Sequence, residues 1–276
     1  MESQAPTDFS APVHKLGQYA AWMRADAAFA PIDLVWLSAA PACNPKRHWM
    51  LPHGEPSIAI RRRRDRHGHV TSLDLTICGA YSRGAYYAPS PSEELIGVRL
   101  KPEASAAFFG IFPADFVNQS PRDAPGRVKE ACHRSLLAAQ SAPASDVLKL
   151  LCEDLLRFSF KPWDCATPER QAAALLRGAN GRLRCREIAA LLDVSERHLR
   201  RRFSDHLGMT PKTYANQLRL TTAALAAEKV AHPDWAQIAL HAGFHDQSHM
   251  INAFSDALGV SPTAFHRERR ALADTN

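Results

Sequence analysis

Phe203-Ser204-Asp205-His206-Leu207-Gly208-Met209-Thr210-Pro211 returns 51 residues later as Phe254-Ser255-Asp256-Ala257-Leu258-Gly259-Val260-Ser261-Pro262, with six of nine positions identical. Upstream, Glu187-Ile188-Ala189 matches Gln237-Ile238-Ala239 at an offset of 50, so the second copy holds one extra residue in its turn. Such a repeat marks a duplicated supersecondary unit. Each copy reads as helix, short turn, helix. In the first, Arg184 to Leu192 puts Ile188, Leu191 and Leu192 on an apolar face, and Asp193-Val194 makes the turn. Ser195 is the N-cap, with Glu196 favourable at the positive helix end. Leu199, Phe203 and Leu207 then recur at i, i+4 and i+8 until Gly208 stops the helix. In the second copy, Asp234 to Gln237 forms a capping box with aspartate as the cap. Trp235, Ile238 and Ala239 face inward and Gly243 ends that helix. Asp246 caps the next, which buries Met250, Phe254 and Leu258.

The outward side chains suggest a partner. With Leu199 at 0° and about 100° per residue, Arg200 lies near 100°, Arg197 near 160° and Arg201 near 200°. A surface helix normally mixes charge signs for i,i+4 pairing, and this stretch adds Arg202 but only one acid near its start, Glu196. Arginine forks onto guanine O6 and N7, so the face is expected to contact nucleic acid. The second helix has no lysine or arginine between Asp246 and Leu258 and offers Gln247, Ser248, His249 and Asn252. The first unit is therefore expected to supply most of the specific affinity, since charge-assisted bonds are the stronger ones. The second is expected to read more weakly and to bind better as pH falls and histidine protonates. Between the copies, Pro211 to Lys229 reads as one helix, with Thr210 at the cap, Pro211 at N1, and Tyr214, Leu218, Thr221 and Leu225 at helical spacing. Its length of roughly 28 Å approaches the ~34 Å between major-groove segments on one face of B-DNA.

The first pattern, Ile188-Ala189…Val194-Ser195…Leu199…Arg201…Phe203…Leu207-Gly208…Pro211…Tyr214, resembles the AraC/XylS DNA-binding domain. So does the second, Ile238-Ala239…Gly243-Phe244…Asp246-Gln247-Ser248-His249…Phe254…Leu258-Gly259-Val260-Ser261-Pro262…Phe265. The resemblance covers residues 170–270 or so and implies two helix-turn-helix units joined by a long helix. It implies base reading by Arg197, Arg200 and Arg201 in the first unit, and by Gln247, Ser248, His249 and Asn252 in the second. With Ser195 and Arg202 these are the expected DNA-binding residues. The chain departs from the family at Asn252, where arginine is usual, and at Ser255, where a basic residue is frequent. Gly97-Val98-Arg99-Leu100-Lys101-Pro102, followed by Ala106-Ala107-Phe108-Phe109-Gly110, resembles the sensing domain of one AraC subgroup. That implies ligand sensing or dimerisation.

The rest of the 276 residues divide into an α+β domain at 1–165 and an all-α domain at 166–276. Strands are expected at Ile32–Leu37, Ser57–Arg61, Val70–Ile77 and Glu94–Leu100, within a strand-rich region from 30 to 102. Helices are expected at Ala104–Phe109, 125–140 and 144–158, and the boundary falls in Phe158–Cys165. Arg61-Arg62-Arg63-Arg64-Asp65-Arg66 reads as a solvated strand end or hairpin tip, with a second nucleic-acid contact as the rival. Trp36, Trp49, Tyr86, Tyr87 and Arg99 are candidates for a pocket, and core packing is the competing role. The net charge of +6 permits a polyanionic partner without demanding one.

The six cysteines, at 43, 78, 132, 152, 165 and 185, form no CxxC pair. The segment MESQAPTDFS lacks a signal pattern, so a cytoplasmic location with reduced thiols is expected. No membrane span, metal site, cofactor or catalytic residue is expected. Cys132-His133 reads as a core thiol beside a surface histidine rather than a metal or redox pair. The expected function is a DNA-binding transcription regulator, activator or repressor. Its expected partners are double-stranded DNA, RNA polymerase, a small-molecule effector and a second copy of the chain. Two alternatives stand beside it: a DNA-binding module fused to a cysteine-based DNA-repair enzyme, and a helical protein-interaction module.

Overall fold

Apolar and polar residues alternate along the strands as a half-buried sheet requires. In the computed structural model, which describes residues 14–16, 19–22, 31–40, 46–102, 113–158 and 167–273, nine strands come first. They are β1 (His14–Leu16), β2 (Tyr19–Trp22), β3 (Ile32–Ala39), β4 (His48–Met50), β5 (Ser57–Arg64), β6 (Val70–Cys78), β7 (Ala85–Tyr87), β8 (Glu93–Leu100) and β9 (Arg122–Asp123). Seven form one antiparallel sheet in the order β1-β2-β3-β8-β5-β6-β9, while β4 and β7 pair separately. Ten helices follow: α1 (Gly126–Ala131), α2 (His133–Ala138), α3 (Ala144–Phe158), α4 (Pro168–Gly178), α5 (Cys185–Leu191), α6 (Glu196–Leu207), α7 (Pro211–Glu228), α8 (Trp235–His241), α9 (Gln247–Leu258) and α10 (Pro262–Ala273). The chain is thus a strand-rich α+β region followed by a helical one. The helix expected at Ala104–Phe109 and the boundary segment Phe158–Cys165 lie almost wholly outside the described residues. The helix expected over 125–140 is two short helices broken at Cys132.

One face of the sheet buries Val35, Ile58, Ile60, Leu75, Ile96, Val98 and Leu100 against Val128, Val147, Leu148, Leu151 and Leu155 of α1 and α3. On the other face, Trp36 crosses its β8 neighbour Gly97, where an added Cβ would sit 2.1 Å from the indole. Only glycine admits that approach.

The arginine run ends β5 and continues into a hairpin turn, as expected for a strand end, but it is not uniformly solvated. Arg62 is 1% exposed. Strand alternation turns it onto the helix-covered face, where it donates to Glu94 at 2.5 Å and to the carbonyls of Ala139 and Ala142 at 2.9 Å. Arg61 and Arg63 point the other way, 3.8 and 3.5 Å from the buried Glu93. β8 thus supplies two consecutive glutamates, Glu93 beside Arg61 and Arg63 and Glu94 beside Arg62 and Arg64.

The five pocket candidates do not converge on one site. Arg99 is tied to Asp33 at 2.7 Å, and Trp36 lies beside Tyr19. Trp49 and Tyr86 face each other across the small sheet, 5.1 Å between ring centres. The hydroxyl of Tyr87 donates to Glu93 at 2.6 Å.

The strand region also meets the helical one. The Tyr214 hydroxyl on α7 donates to the buried Glu55 at 2.7 Å, and Gln217 donates to the Tyr81 carbonyl at 2.9 Å. The Gly54 backbone lies so close to the Tyr214 ring that a Cβ there would be 2.2 Å from it. The Gly84 N–H donates to the Ala257 carbonyl of α9 at 2.8 Å, and the Trp49 N–H to Glu268 of α10 at 2.7 Å.

Two outcomes follow for this region. Arg62→Ala leaves the Ala139 and Ala142 carbonyls without their donor and Glu94 with Arg64 alone, so it is expected to lower folding stability by about 3 kcal/mol. Arg66→Ala, at an exposed site, is expected to stay within about 0.5 kcal/mol. Denaturant titration of both variants checks this, and equal values for the two would refute the distinction. His53 lies beside Arg99, and burial and that cation lower its pKa from 6.5 to about 4. The unfolded chain therefore takes up its proton first, and His53 destabilises the fold as pH falls from about 6.5 towards 4. Glu55, whose carboxyl burial pushes up, acts with the opposite sign, so the contribution of His53 is isolated by difference. The stability of the wild type minus that of His53→Gln is expected to drop across that window; a constant difference would contradict it.

Candidate nucleic-acid interface

The two repeats fold into matched units. Ser195 accepts the His198 N–H at 3.2 Å as the cap of α6, and Asp246 accepts the His249 N–H at 2.7 Å as the cap of α9. Both helices end in left-handed glycines, Gly208 at φ +71° and Gly259 at φ +73°. Before each cap, the preceding helix ends in another left-handed residue, Asp193 at +52° and Gly243 at +85°. The next N–H then reaches back, Val194 to the Ala189 carbonyl at 3.0 Å and Phe244 to the Ala239 carbonyl at 2.9 Å. The extra residue of the second copy is His245, between Phe244 and the cap.

The cores are likewise matched. Ile188, Ala189, Leu199, Phe203 and Leu207 close the first unit with α4 and Tyr214. Ile238, Ala239, Met250, Phe254, Leu258 and Phe265 close the second with Leu220, Ala223 and Ala227. Helix α7 runs 18 residues with Thr210 as its cap and Pro211 at its start. Tyr214 is on its buried side as expected, but Leu218, Thr221 and Leu225 are only half-buried, and Gln217, Leu220, Ala224 and Ala227 complete the packed surface. The helix is gripped by α4 and α6, by α8 to α10 and by the strand region, so its buried surface is wider than one stripe.

On α6, Arg197, Arg200 and Arg201 are exposed. Among the described residues, Arg197 and Arg201 carry no ion pair or hydrogen bond. Arg200 is partnered with Glu196 one turn back. Ser195 spends its hydroxyl on the cap. Arg202 is turned the other way: its Nη2 lies 3.0 Å from the buried Glu169 of α4, which His206 also approaches at 3.2 Å. Against the cost of burial, hydrogen bonds from Arg202, from its own backbone and from Thr167, with His206 close by, hold the Glu169 carboxyl below its ordinary pKa. The structure thus separates Arg202 from the other three, as its place near 300° on the same wheel requires.

On α9, Gln247, Ser248, His249 and Asn252 are all exposed. His249 packs edge-on to Phe244, and its Nδ1 takes a long bond from the His245 N–H at 3.4 Å, leaving Nε2 for an outside partner. Asp246 is bonded by His245 and the His249 N–H, which lower its pKa, so the cap is a carboxylate.

Comparison with known proteins gives the same reading. Residues 188–268 match the helix-turn-helix domain family, and residues 30–122 match a domain of unknown function, DUF6597. The chain is 32% identical over 83 residues to the HTH-type transcriptional regulator MtrA of Neisseria gonorrhoeae, a match spanning 30% of this chain and 27% of that protein. It is 24% identical to the HTH-type transcriptional activator RhaR of Klebsiella pneumoniae, over 89% of this chain and 87% of that one. Among solved structures, the C-terminal domain of AraT from Geobacillus stearothermophilus is 26% identical with a TM-score of 0.34, covering 36% of this chain and 84% of that one. Unsaturated fatty acid bound ToxT from Vibrio cholerae is 10% identical with a TM-score of 0.45, covering 86% of this chain and 95% of that one. The duplicated unit, its matched caps and the family match at 188–268 make the C-terminal part of this chain a helix-turn-helix domain, similar to those of transcription regulators such as MtrA and RhaR.

Proposed function

We propose that this chain regulates transcription by reading double-stranded DNA with both helix-turn-helix units, and that residues 1–165 form a domain that modulates the reading done by residues 166–276. The observation that carries the proposal is the pair of matched, capped helices with exposed polar faces on one shared linker. Arg197 and Arg201, exposed and unpaired, are assigned to base edges, where a guanidinium forks onto guanine. Arg200, shared with Glu196, is assigned to the phosphate backbone beside the capping Ser195. Gln247 and Asn252 suit adenine, and Ser248 and His249 suit a base or a phosphate. Arg202 is left out, because its guanidinium is committed to Glu169.

The two-domain division is supported by the distribution of the cores. One runs from the sheet to Leu155; the others begin at Ala172, with Ala80, Val117, Trp49 and Leu51 reaching across. Signals from the first domain would reach α7 through the Glu55–Tyr214 bond. A small-molecule effector, a second copy of the chain and RNA polymerase are the partner classes this reading expects.

Among the described residues no cysteine is placed for catalysis; Cys43 and Cys165 lie outside them. Cys132 and Cys152 are buried, and burial pushes the Cys132 thiol up to about 12 and raises those of Cys78 and Cys185. A nucleophilic cysteine needs the opposite shift. Among the described residues no group of three metal-ligating side chains exists, and no helix is long and apolar enough to cross a membrane.

The test begins with a duplex selected by the full-length chain from a randomised pool. Affinity is expected to fall steeply with added salt, as counterion release dictates. Arg201→Ala is expected to lose about 1–3 kcal/mol at the selected site and to relax discrimination at one or two base pairs. Arg202→Ala is expected to lose about 1–2 kcal/mol of folding stability instead, with discrimination kept. Base substitutions in the first half-site are expected to weaken binding more than those in the second. A uniform loss over all sequences for Arg201→Ala, or equal sensitivity of the two halves, would overturn the assignment.

A further inference from the structure

Two arginines from different parts of the helical region close on the same tripeptide, His241-Ala242-Gly243, at the end of α8. Arg182, in the loop between α4 and α5, donates to the His241 carbonyl. Its aliphatic stem lies over Gly243, where an added Cβ would sit 2.8 Å from Arg182 Cγ. Arg219, midway along α7, donates from Nη1 to the Gly243 carbonyl at 3.2 Å. Its guanidinium lies 5.3 Å from the centre of the Phe244 ring, and Asn216 takes its other amino group. Among the described residues Arg219 has no carboxylate partner, and its Nε is buried without a hydrogen bond.

A helix C-terminus carries partial negative charge and carbonyls without donors, which explains why cations settle there. The consequence goes further than capping. Each unit has its own core, and among the described residues α7 is the only helix that contributes to both. The strand region also holds the second unit, but at Ala257 near the end of α9 and at Glu268 of α10. At the turn that leads into α9 the ties are the two arginines: Arg182 joins that turn to the first unit, and Arg219 joins it to the linker. The tripeptide they hold leads directly through Phe244 and His245 into the cap of α9.

We propose that Arg182 and Arg219 are positioning residues that lock the distance and angle between α6 and α9, so that the chain discriminates the spacing of its two half-sites. This rests on the two-unit DNA reading above. One inserted base pair moves the second half-site by about 3.4 Å and turns it by about 35°. A locked second unit does not follow that displacement, and a loosened one does.

The experiment uses the full-length chain and the selected duplex, with its half-sites moved closer by one base pair or apart by one or two, beside a duplex keeping only the first half-site. The wild type is expected to lose roughly fivefold or more on each changed spacing, the cost of a mismatch. Arg182→Met and Arg219→Met are expected to bind the first half-site like wild type, to weaken on the full site, and to bind all spacings within about twofold of one another, well inside that cost. Arg219→Lys is expected to stay equally flat, since an ammonium lacks the planar fork that holds a carbonyl while lying on a ring. Arg182 is exposed and outside every core, so Arg182→Met decides the matter even if Arg219→Met fails to fold. A wild-type spacing profile in Arg182→Met, or an equal loss on the half-site and full-site duplexes, would overturn the proposal. If the wild type selects no sequence at all, the DNA reading itself falls, a distinguishable result.

Discussion

The Tyr214 side chain is fully buried near the start of the linker helix. Its ring lies 5.8 Å from that of Phe203 in the first recognition helix, and its hydroxyl donates to Glu55 in the strand region. Three parts of the molecule therefore depend on one residue being in one rotamer. A buried carboxyl such as that of Glu55 is expensive without a hydrogen bond, and the same hydroxyl supplies one while fixing the helix beneath it. Gly54 permits this contact, because any side chain there would displace the ring. From Tyr214 the helix carries the geometry onward through Gln217 and Arg219 to the second unit.

The recognition helices are legible in sequence because their signals are local. Caps at Ser195 and Asp246, glycines at the left-handed positions 208 and 259, and an i, i+4, i+8 stripe are all short-range requirements. The structure places each of them as the repeat predicts. The four main strands are legible for a similar reason, since period-two alternation needs only a few residues. What escapes the sequence is long-range. Nothing near Arg62 reveals that its strand turns it onto Ala139 and Ala142, or that Glu94 waits on the neighbouring strand. Nothing near Arg202 reveals Glu169, 33 residues earlier. The break at Cys132, a residue buried in the sheet core, likewise has no local signal in a stretch of unbroken helical character. An arginine amid the apolar run of α7 is the one local hint of Arg219, because a guanidinium there demands an acceptor.

The asymmetry between the units also has a structural counterpart. The first presents Arg197 and Arg201, without an ion pair among the described residues, on a helix tied to α4 through Arg202 and Glu169. The second presents Gln247, Ser248, His249 and Asn252 on a helix held by Arg182 and Arg219 at its turn and by Gly84 at its far end.

Whether one chain reads two adjacent major-groove segments is decided by a hydroxyl-radical footprint of the full-length protein on its selected duplex, combined with the measured mass of the complex. One chain per duplex is expected, with two protected segments about 10 base pairs apart on one face of the helix. A single protected segment per chain, or a second segment protected only when a second chain binds, would rule out reading of both segments by one chain.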